Sequence, residues 1–303
     1  MLILAEPKTE PIHPQEWYQR RQSGIGGSES AAVLGLSKYH TPYEVWLRKV
    51  TPVEQQEQTD NDAMKAGRMF EPAIRQEYSS VTGFKIYDPG FASRDDIVCG
   101  NVDGLCEDRI LEIKTTTNRE WEEDDIPVDY YMQCQHYMYL FERQQADLCA
   151  YFLATRKLRV YNIVFNAELF ADVLTLYKQF WDCVLERRSP ELVSLSDINQ
   201  SYRFSKSIKK ELGADVIEHV EQYKAIKEQI AELEALKDEH ELAIKKALEE
   251  ADAGTDLQGN TLVTWKTSKP RVTLDSARLK SEAPEVYAQY SKEGKPTRVF
   301  LVK

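Results

Sequence analysis

The stretch "NVDGLCEDRILEIKT", residues 101–115, sets Asp103, Glu112 and Lys114 into a segment that otherwise reads as two short β-strands. Ile110, Leu111 and Ile113 leave neither face of the second strand polar, the mark of a strand covered on both sides. Burying a Glu-x-Lys pair there is costly unless each charge finds a partner. Period-two alternation aims Glu112 and Lys114 at one face. A hairpin brings Asp103 beside Glu112. Two carboxylates so placed repel each other unless a divalent cation lies between them. The carbonyl of Ile113 adds a neutral oxygen, and Lys114 stands ready to orient a water or offset charge on a phosphate. Each piece alone also has a plainer reading. Glu-x-Lys is a common exposed ion pair, and Asp-Gly a common turn.

Around this stretch the chain alternates irregularly between helical and extended patterns. Residues 14–50 read as helix broken by glycines, with Ser28 as an N-cap after Gly26-Gly27 and Thr41-Pro42 opening a second helix. Residues 51–61 are a polar loop. A long helix is expected over residues 62–81, with Met64, Met69, Phe70, Ile74 and Tyr78 on its apolar side and Gly83 ending it. Extended runs follow at 84–87, 97–100, 103–106 and 109–115, then a helix in "DYYMQCQHYMYLF", strands at 148–154 and 159–165, and a helix over 167–187. Trp121 and the acidic run 122–125 read as a solvated loop. This order implies a mixed α/β core rather than a doubly wound one.

After Ser189-Pro190 the composition shifts. Val216, Val220, Tyr223, Ile226, Ile230 and Leu233 recur at spacings of three and four, an amphipathic helix of about 35 residues and on the order of 50 Å. The chain thus divides into residues 1–205, a long helical segment 206–252 and a small α/β segment 253–303.

Composition narrows the function less than the motifs do. No run of about 18 apolar residues is present, and MLILA lacks the length and basic lead of a secretory signal, so a cytoplasmic protein without a membrane span is expected. Five cysteines fall in no Cys-x-x-Cys pair or zinc spacing, which points to reduced, buried thiols. The net charge of −11 argues against a broadly basic nucleic-acid surface and confines any DNA contact to a local patch or channel.

Four stretches in order, "RRQSGIGGSESAAVLGLSKYHTPYEVW", "AGRMFEPAIRQEY", "NVDGLCEDRILEIKT" and "DYYMQCQHYMYL", resemble the YqaJ-type viral recombinase family, which is lambda exonuclease-like and lies in the PD-(D/E)XK nuclease superfamily. The resemblance covers residues 14–190. It implies a restriction-endonuclease-like core, a mixed central sheet flanked by helices, with a C-terminal long helix and small β extension that lambda exonuclease lacks. Asp103 matches the first motif aspartate, although Val102 stands where the superfamily has proline. Glu112 and Lys114 match the Glu-x-Lys motif as metal ligand and catalytic lysine. Glu71 matches a helical glutamate aimed at the same site. The metal set is then Asp103, Glu112, the Ile113 carbonyl and Glu71. Arg21 and Ser28 match the pair that holds the 5′ phosphate of a DNA end, and Arg20 takes that place if the correspondence slips by one residue. Asn101 is grouped with them as a DNA contact. Of Gln133 and Gln135, which cannot share one helix face, Gln135 is the favoured catalytic-site residue.

The resemblance implies a Mg²⁺-dependent, ATP-independent 5′→3′ exonuclease acting on double-stranded DNA ends, with Mn²⁺ as a substitute ion. It would release 5′ mononucleotides and expose a 3′ strand for annealing-type recombination. It further implies a homo-oligomeric ring, a single-strand annealing protein as partner, and a bacterial host cytoplasm as setting. A structure-dependent endonuclease with the same metal centre, and a non-catalytic DNA-end-binding adaptor, are the alternatives.

Overall fold

The computed structural model of the chain describes residues 2–4, 14–56, 61–121, 125–294 and 296–303. The elements run β1 (Leu2–Leu4), α1 (Pro14–Gln22), β2 (Ile25–Gly26), a 3₁₀ turn (Gly27–Glu29), α2 (Ser30–Val33), α3 (Pro42–Val50) and α4 (Asp62–Thr82). The central part follows as β3 (Ala92–Arg94), β4 (Val98–Gly100), β5 (Gly104–Leu105), β6 (Arg109–Thr116), α5 (Val128–Leu140), β7 (Gln145–Phe152), β8 (Lys157–Val164) and α6 (Ala167–Leu185). The C-terminal elements are α7 (Leu195–Ser201), α8 (Ala214–Leu248), β9 (Ala253–Thr255), β10 (Thr261–Thr264), α9 (Ser276–Glu282) and α10 (Pro284–Tyr290). They fall into two compact units, Met1–Ser201 and Tyr202–Lys303, so residues 253–303 share a unit with the long helix.

In the first unit, four strands in the order β5-β6-β7-β8 form the main sheet. The β6–β7 pair is parallel and its flanking pairs are antiparallel. A second sheet, β1-β3-β4-β2, is built of strands two or three residues long. The main sheet is covered on both faces. Ile110 of β6 joins the larger core with Met132 and Cys134 of α5, while Leu111 and Ile113 pack with Ile74 and Tyr78 of α4. That split follows from the pleat, and it turns the even-numbered residues of β6 toward α5.

Local chemistry accounts for the helix ends. Thr41 accepts from Glu44 N at 3.1 Å and Glu44 reaches back to Thr41 N, a capping box with Pro42 behind it. Asn61 caps α4 through Met64 N, and Gly83 closes it in the left-handed conformation with φ 76°. Several expectations are corrected. Ser28 is no N-cap: it lies inside the 3₁₀ turn, and its hydroxyl is taken by Arg21. Residues 84–87 form one isolated bridge, Tyr87 to Leu105, rather than a strand. On α4 only Ile74 and Tyr78 are buried, and Met69 stands 78% exposed. Trp121 is a core plug, its ring 5.0 Å from Phe152 and 5.7 Å from Tyr161, because an indole recovers more by covering aromatic surface than by solvation. Most of the acidic run beside it lies outside the described residues.

In the second unit, α8 carries its apolar stripe largely in the open: Val216, Tyr223, Ile226, Ile230 and Leu233 are all exposed. Tyr223 meets Phe300 edge-on at 5.8 Å. The short β9–β10 hairpin packs Gly254 against Leu248, the one buried apolar residue of this unit among the described residues. No helix among the described residues is long and apolar enough to cross a membrane.

Candidate active site

Glu112 is 2% exposed on the central strand and faces α5, as the pleat of β6 requires. Its Oε1 accepts hydrogen bonds from Lys114 Nζ and from Gln133 Nε2 of α5, each at 2.7 Å. Its Oε2 is buried with no hydrogen-bond partner. The register Gly104↔Leu111 and Leu105↔Ile110, carried one step further, sets Asp103 opposite Glu112 at the point where β5 leaves the sheet. There Asp103 Oδ2 accepts from Ile113 N at 2.7 Å. Because the N–H and C=O of a strand residue point to the same edge, the Ile113 carbonyl opens toward Asp103 as well. From α4, Glu71 reaches the same place, paired with Arg75 at 3.0 Å one turn on.

These groups line one cavity of about 560 Å³ with Tyr130 and Tyr39 at its wall, within the size range of small-ligand sites. Lys114 Nζ lies 5.1 Å from the centre of the Tyr130 ring, a cation–π contact that helps fix the ammonium. The electrostatics are unbalanced. Burial and the Asp103 charge push the Glu112 carboxyl up to about 8, against the pull of Lys114. Burial raises Asp103 despite Lys114 and the Ile113 N–H. Burial and then Asp103 raise Glu71. Burial works against the Lys114 ammonium, yet Glu112 and Asp103 outweigh it and hold it above the ordinary lysine range.

Three carboxylates, Asp103, Glu112 and Glu71, outnumber the two cations beside them, Lys114 and Arg75, with a bare carboxylate oxygen in their midst, and such a set is satisfied by a hard divalent cation. The residues fit a metal of the Mg²⁺ class by donor type, although no three acidic, His or Cys side chains among the described residues already stand as a closed shell. Asp103, Glu112, Glu71 and the Ile113 carbonyl are the donors available to it.

The remaining expected residues lie elsewhere. Gln135 is turned away from the cavity: it is fully buried, donates to Val164 O at 2.8 Å and accepts from Asn166 N at 2.9 Å, so it ties α5 to the end of β8. Its neighbour two residues back, Gln133, occupies the place expected of it, since residues two apart project to different sides of a helix. Arg21 Nη2 donates to Ser28 Oγ at 2.8 Å, while Arg20 instead sits over Phe91 at 5.8 Å. Asn101, half-buried just past β4, does not line the carboxylate cavity. Sequence reasoning missed Tyr39 and Tyr130 at the cavity wall, and the ion pair between Glu29 and Lys49 at 2.7 Å behind Arg21. Tyr39, Tyr130 and Glu29 lie within the motif-bearing stretches, whereas Lys49 lies just past the first of them and carries no such signal.

The YqaJ-like viral recombinase domain, as a family, matches residues 16–144. The protein YqaJ of Bacillus subtilis (strain 168) is 32% identical over 303 residues, which spans 94% of this chain and 93% of that relative. Among solved structures, an alkaline exonuclease (LHK-Exo) from Laribacter hongkongensis aligns with a TM-score of 0.49 at 21% identity over 57% of this chain and 94% of that one. A phage-related exonuclease from Haemophilus somnus 129PT aligns with a TM-score of 0.42 at 12% identity over 55% and 96%.

Proposed function

This chain belongs to the YqaJ-like viral recombinase family, and from that premise we propose that it is a Mg²⁺-dependent, ATP-independent exonuclease. It degrades the 5′ strand of duplex DNA from its end, releases 5′ mononucleotides and leaves a 3′ single strand for annealing. The observation that carries this reading is the buried Glu112 with one oxygen unpartnered, Lys114 and Gln133 on the other, and Asp103 and Glu71 facing the same cavity.

When bound, a divalent ion supplies Lewis acidity toward the phosphodiester and lowers the pKa of the attacking water. The protein's own groups do the rest. Gln133 and Lys114 together fix Glu112 Oε1, which leaves Oε2 directed as a ligand. The Ile113 N–H holds Asp103 in place from the edge of the sheet. Lys114, a protonated amine on a rigid strand, offsets the charge that builds on the phosphate as the bond breaks. Arg21 and Ser28 form a guanidinium–hydroxyl clamp for the 5′ phosphate, which turns a general cutting centre into an end-directed one. An acidic exterior with a locally basic passage reconciles the net charge of −11 with DNA as substrate, and a homo-oligomeric ring supplies that passage. A single-strand annealing protein receives the exposed 3′ strand.

The decisive experiment digests end-labelled linear duplexes, with and without a 5′ phosphate, in Mg²⁺ and in EDTA, beside closed circular DNA. The expected result is mononucleotide release from 5′ ends, faster with the phosphate and abolished by EDTA. Cleavage of circles at the rate of linear DNA would make the protein an endonuclease, and binding without cleavage would make it an adaptor.

A further inference from the structure

We propose that Tyr78 is a positioning residue for the cation site: its hydroxyl, bound to Asp147, sets how far the helix α4 brings Glu71 toward Glu112. This rests on reading the carboxylate cavity as a metal centre, and it adds what holds Glu71 there.

Glu71 comes to the cavity on a helix that meets the sheet over a short length. Of the side chains of α4, only Ile74 and Tyr78 are buried among the described residues, and Met69 and Phe70 beside Glu71 are exposed. Pro72, the next residue, has no N–H to give to the helix, so the turn that carries Glu71 has less support from its own backbone. Arg75 holds the Glu71 carboxylate at 3.0 Å but rides on the same helix. It fixes the side chain relative to α4, not α4 relative to the sheet. Seven residues separate Glu71 from Tyr78, two turns of helix, so the two side chains leave one face about 10 Å apart.

The ring of Tyr78 needs only apolar neighbours, and it has them. It packs with Ile74, Leu111 and Ile113 and stacks 6.4 Å from Phe84. A phenylalanine would fill the same space. The hydroxyl adds direction: it donates to Asp147 Oδ2 at 2.5 Å. Asp147 is 3% exposed and clamped in turn, its Oδ1 accepting from Arg109 Nη1 at 3.2 Å and from Asn162 Nδ2 at 2.9 Å. Arg109 begins β6, the strand of Glu112, and Asp147 stands beside Leu111 in the β6–β7 register. One hydrogen bond therefore ties α4 to a fixed mark on the strand that carries Glu112. Apolar contact is non-directional, so packing alone lets a helix slide or roll on a sheet at small cost. A buried hydroxyl–carboxylate bond does not stretch by an ångström without breaking. That difference is felt at Glu71, because oxygen donors to a small cation must converge within a narrow range.

The test compares full-length wild type, Tyr78→Phe, Glu71→Gln and the Tyr78→Phe/Glu71→Gln double variant, all without DNA. The readout is the dissociation constant of Mn²⁺, taken from the paramagnetic resonance of the free ion, with urea melts to confirm folding. Tyr78→Phe should weaken Mn²⁺ binding about tenfold, the scale for losing a group that orients a ligand. Glu71→Gln should weaken it at least as much. Once the Glu71 carboxylate is gone the hydroxyl has nothing left to position, so the double variant should bind within about twofold of Glu71→Gln. A general loosening of the fold would instead leave the two losses additive. Tyr78→Phe binding within about twofold of wild type overturns the inference, as does a larger further loss than that in the double variant. If Tyr78→Phe does not fold, Asp147→Asn, which keeps the shape of the acceptor without its charge, takes its place in the same cycle with the same outcomes on either side. Equal Mn²⁺ binding by wild type and Glu71→Gln overturns the reading of Glu71 as a ligand and this inference with it, a result distinct from the others.

Discussion

Two buried glutamates in this protein, Glu29 and Glu112, each sit 2.7 Å from a lysine ammonium, yet the fold moves their carboxyl groups in opposite directions. Glu29 is brought down to about 2 and Glu112 pushed up to about 8. Burial acts on both and cannot explain the split. The neighbours do. Glu29 has a second cation, Arg21, and a backbone N–H from Gly26. Glu112 has a neutral amide from Gln133 and two further carboxylates, Asp103 and Glu71, close enough to oppose its charge. In one cluster two cations surround a single carboxylate and hold it ionised. In the other, three carboxylates outnumber Lys114 and Arg75, an imbalance that favours a bound cation.

The largest effect expected of this contrast is on chemistry. Lys114→Ala should reduce cleavage by about a thousandfold, the scale for losing one preorganised charge-stabilising group. DNA binding, followed by gel shift in Ca²⁺, should stay largely in place. Wild-type digestion by that variant would end the site assignment. Next comes stability at the Glu29 cluster. Glu29→Gln leaves Lys49 buried without its anion and should cost about 3 kcal/mol near neutral pH, consistent with the displacement of the carboxyl from 4.5 to about 2. The sign is fixed by linkage. A depressed carboxyl stabilises fully above its unfolded value and loses that contribution as pH falls from about 4.5 to 2, so urea melts should show wild type and variant converging over that window.

Gln133→Ala should slow cleavage about tenfold by releasing Glu112 Oε1, whereas Gln135→Ala should lower the melting temperature and leave kcat in place. An equal kcat loss in both would erase the distinction between them. The smallest effect is the sharpest in sign. In metal-free protein Glu112→Gln should raise stability by about 1 kcal/mol, because it removes a carboxylate opposed by its neighbours. The same change should abolish the rise in melting temperature that Mg²⁺ gives wild type. Destabilisation on the scale of Glu29→Gln would mean the two clusters are alike after all.

The parts of the fold that follow local rules were readable in the chain. The Thr41-Pro42 start of α3, the Gly83 end of α4, the doubly covered β6 and the length of α8 all announce themselves through short-range chemistry, whereas the Asn61 cap lies in a stretch that reads as loop. What sequence left open depends on tertiary contact. The helix α5 is buried continuously from Met132 to Met138, so no polar face marks which glutamine meets the cavity. The Glu29–Lys49 pair joins residues 20 apart through an ion pair that has no periodic signature. Strands of two or three residues in the β1-β3-β4-β2 sheet are too short to alternate, and the exposed Met69 shows that apolar spacing on a helix does not ensure a partner. Trp121, set in an acidic surround, reads as solvated until the aromatic rings beneath it are known.

The helix α5 carries Gln133 against Glu112 and, one turn later, Tyr137 against Gly27 and Gly100. A single helix therefore sets the distance between the turn that carries Ser28 and the cavity that holds Glu112. A methyl group added at Gly27 would fall 2.6 Å from Tyr137 Cζ, so Gly27→Ala should shift α5 and loosen the Gln133–Glu112 hydrogen bond at its other end.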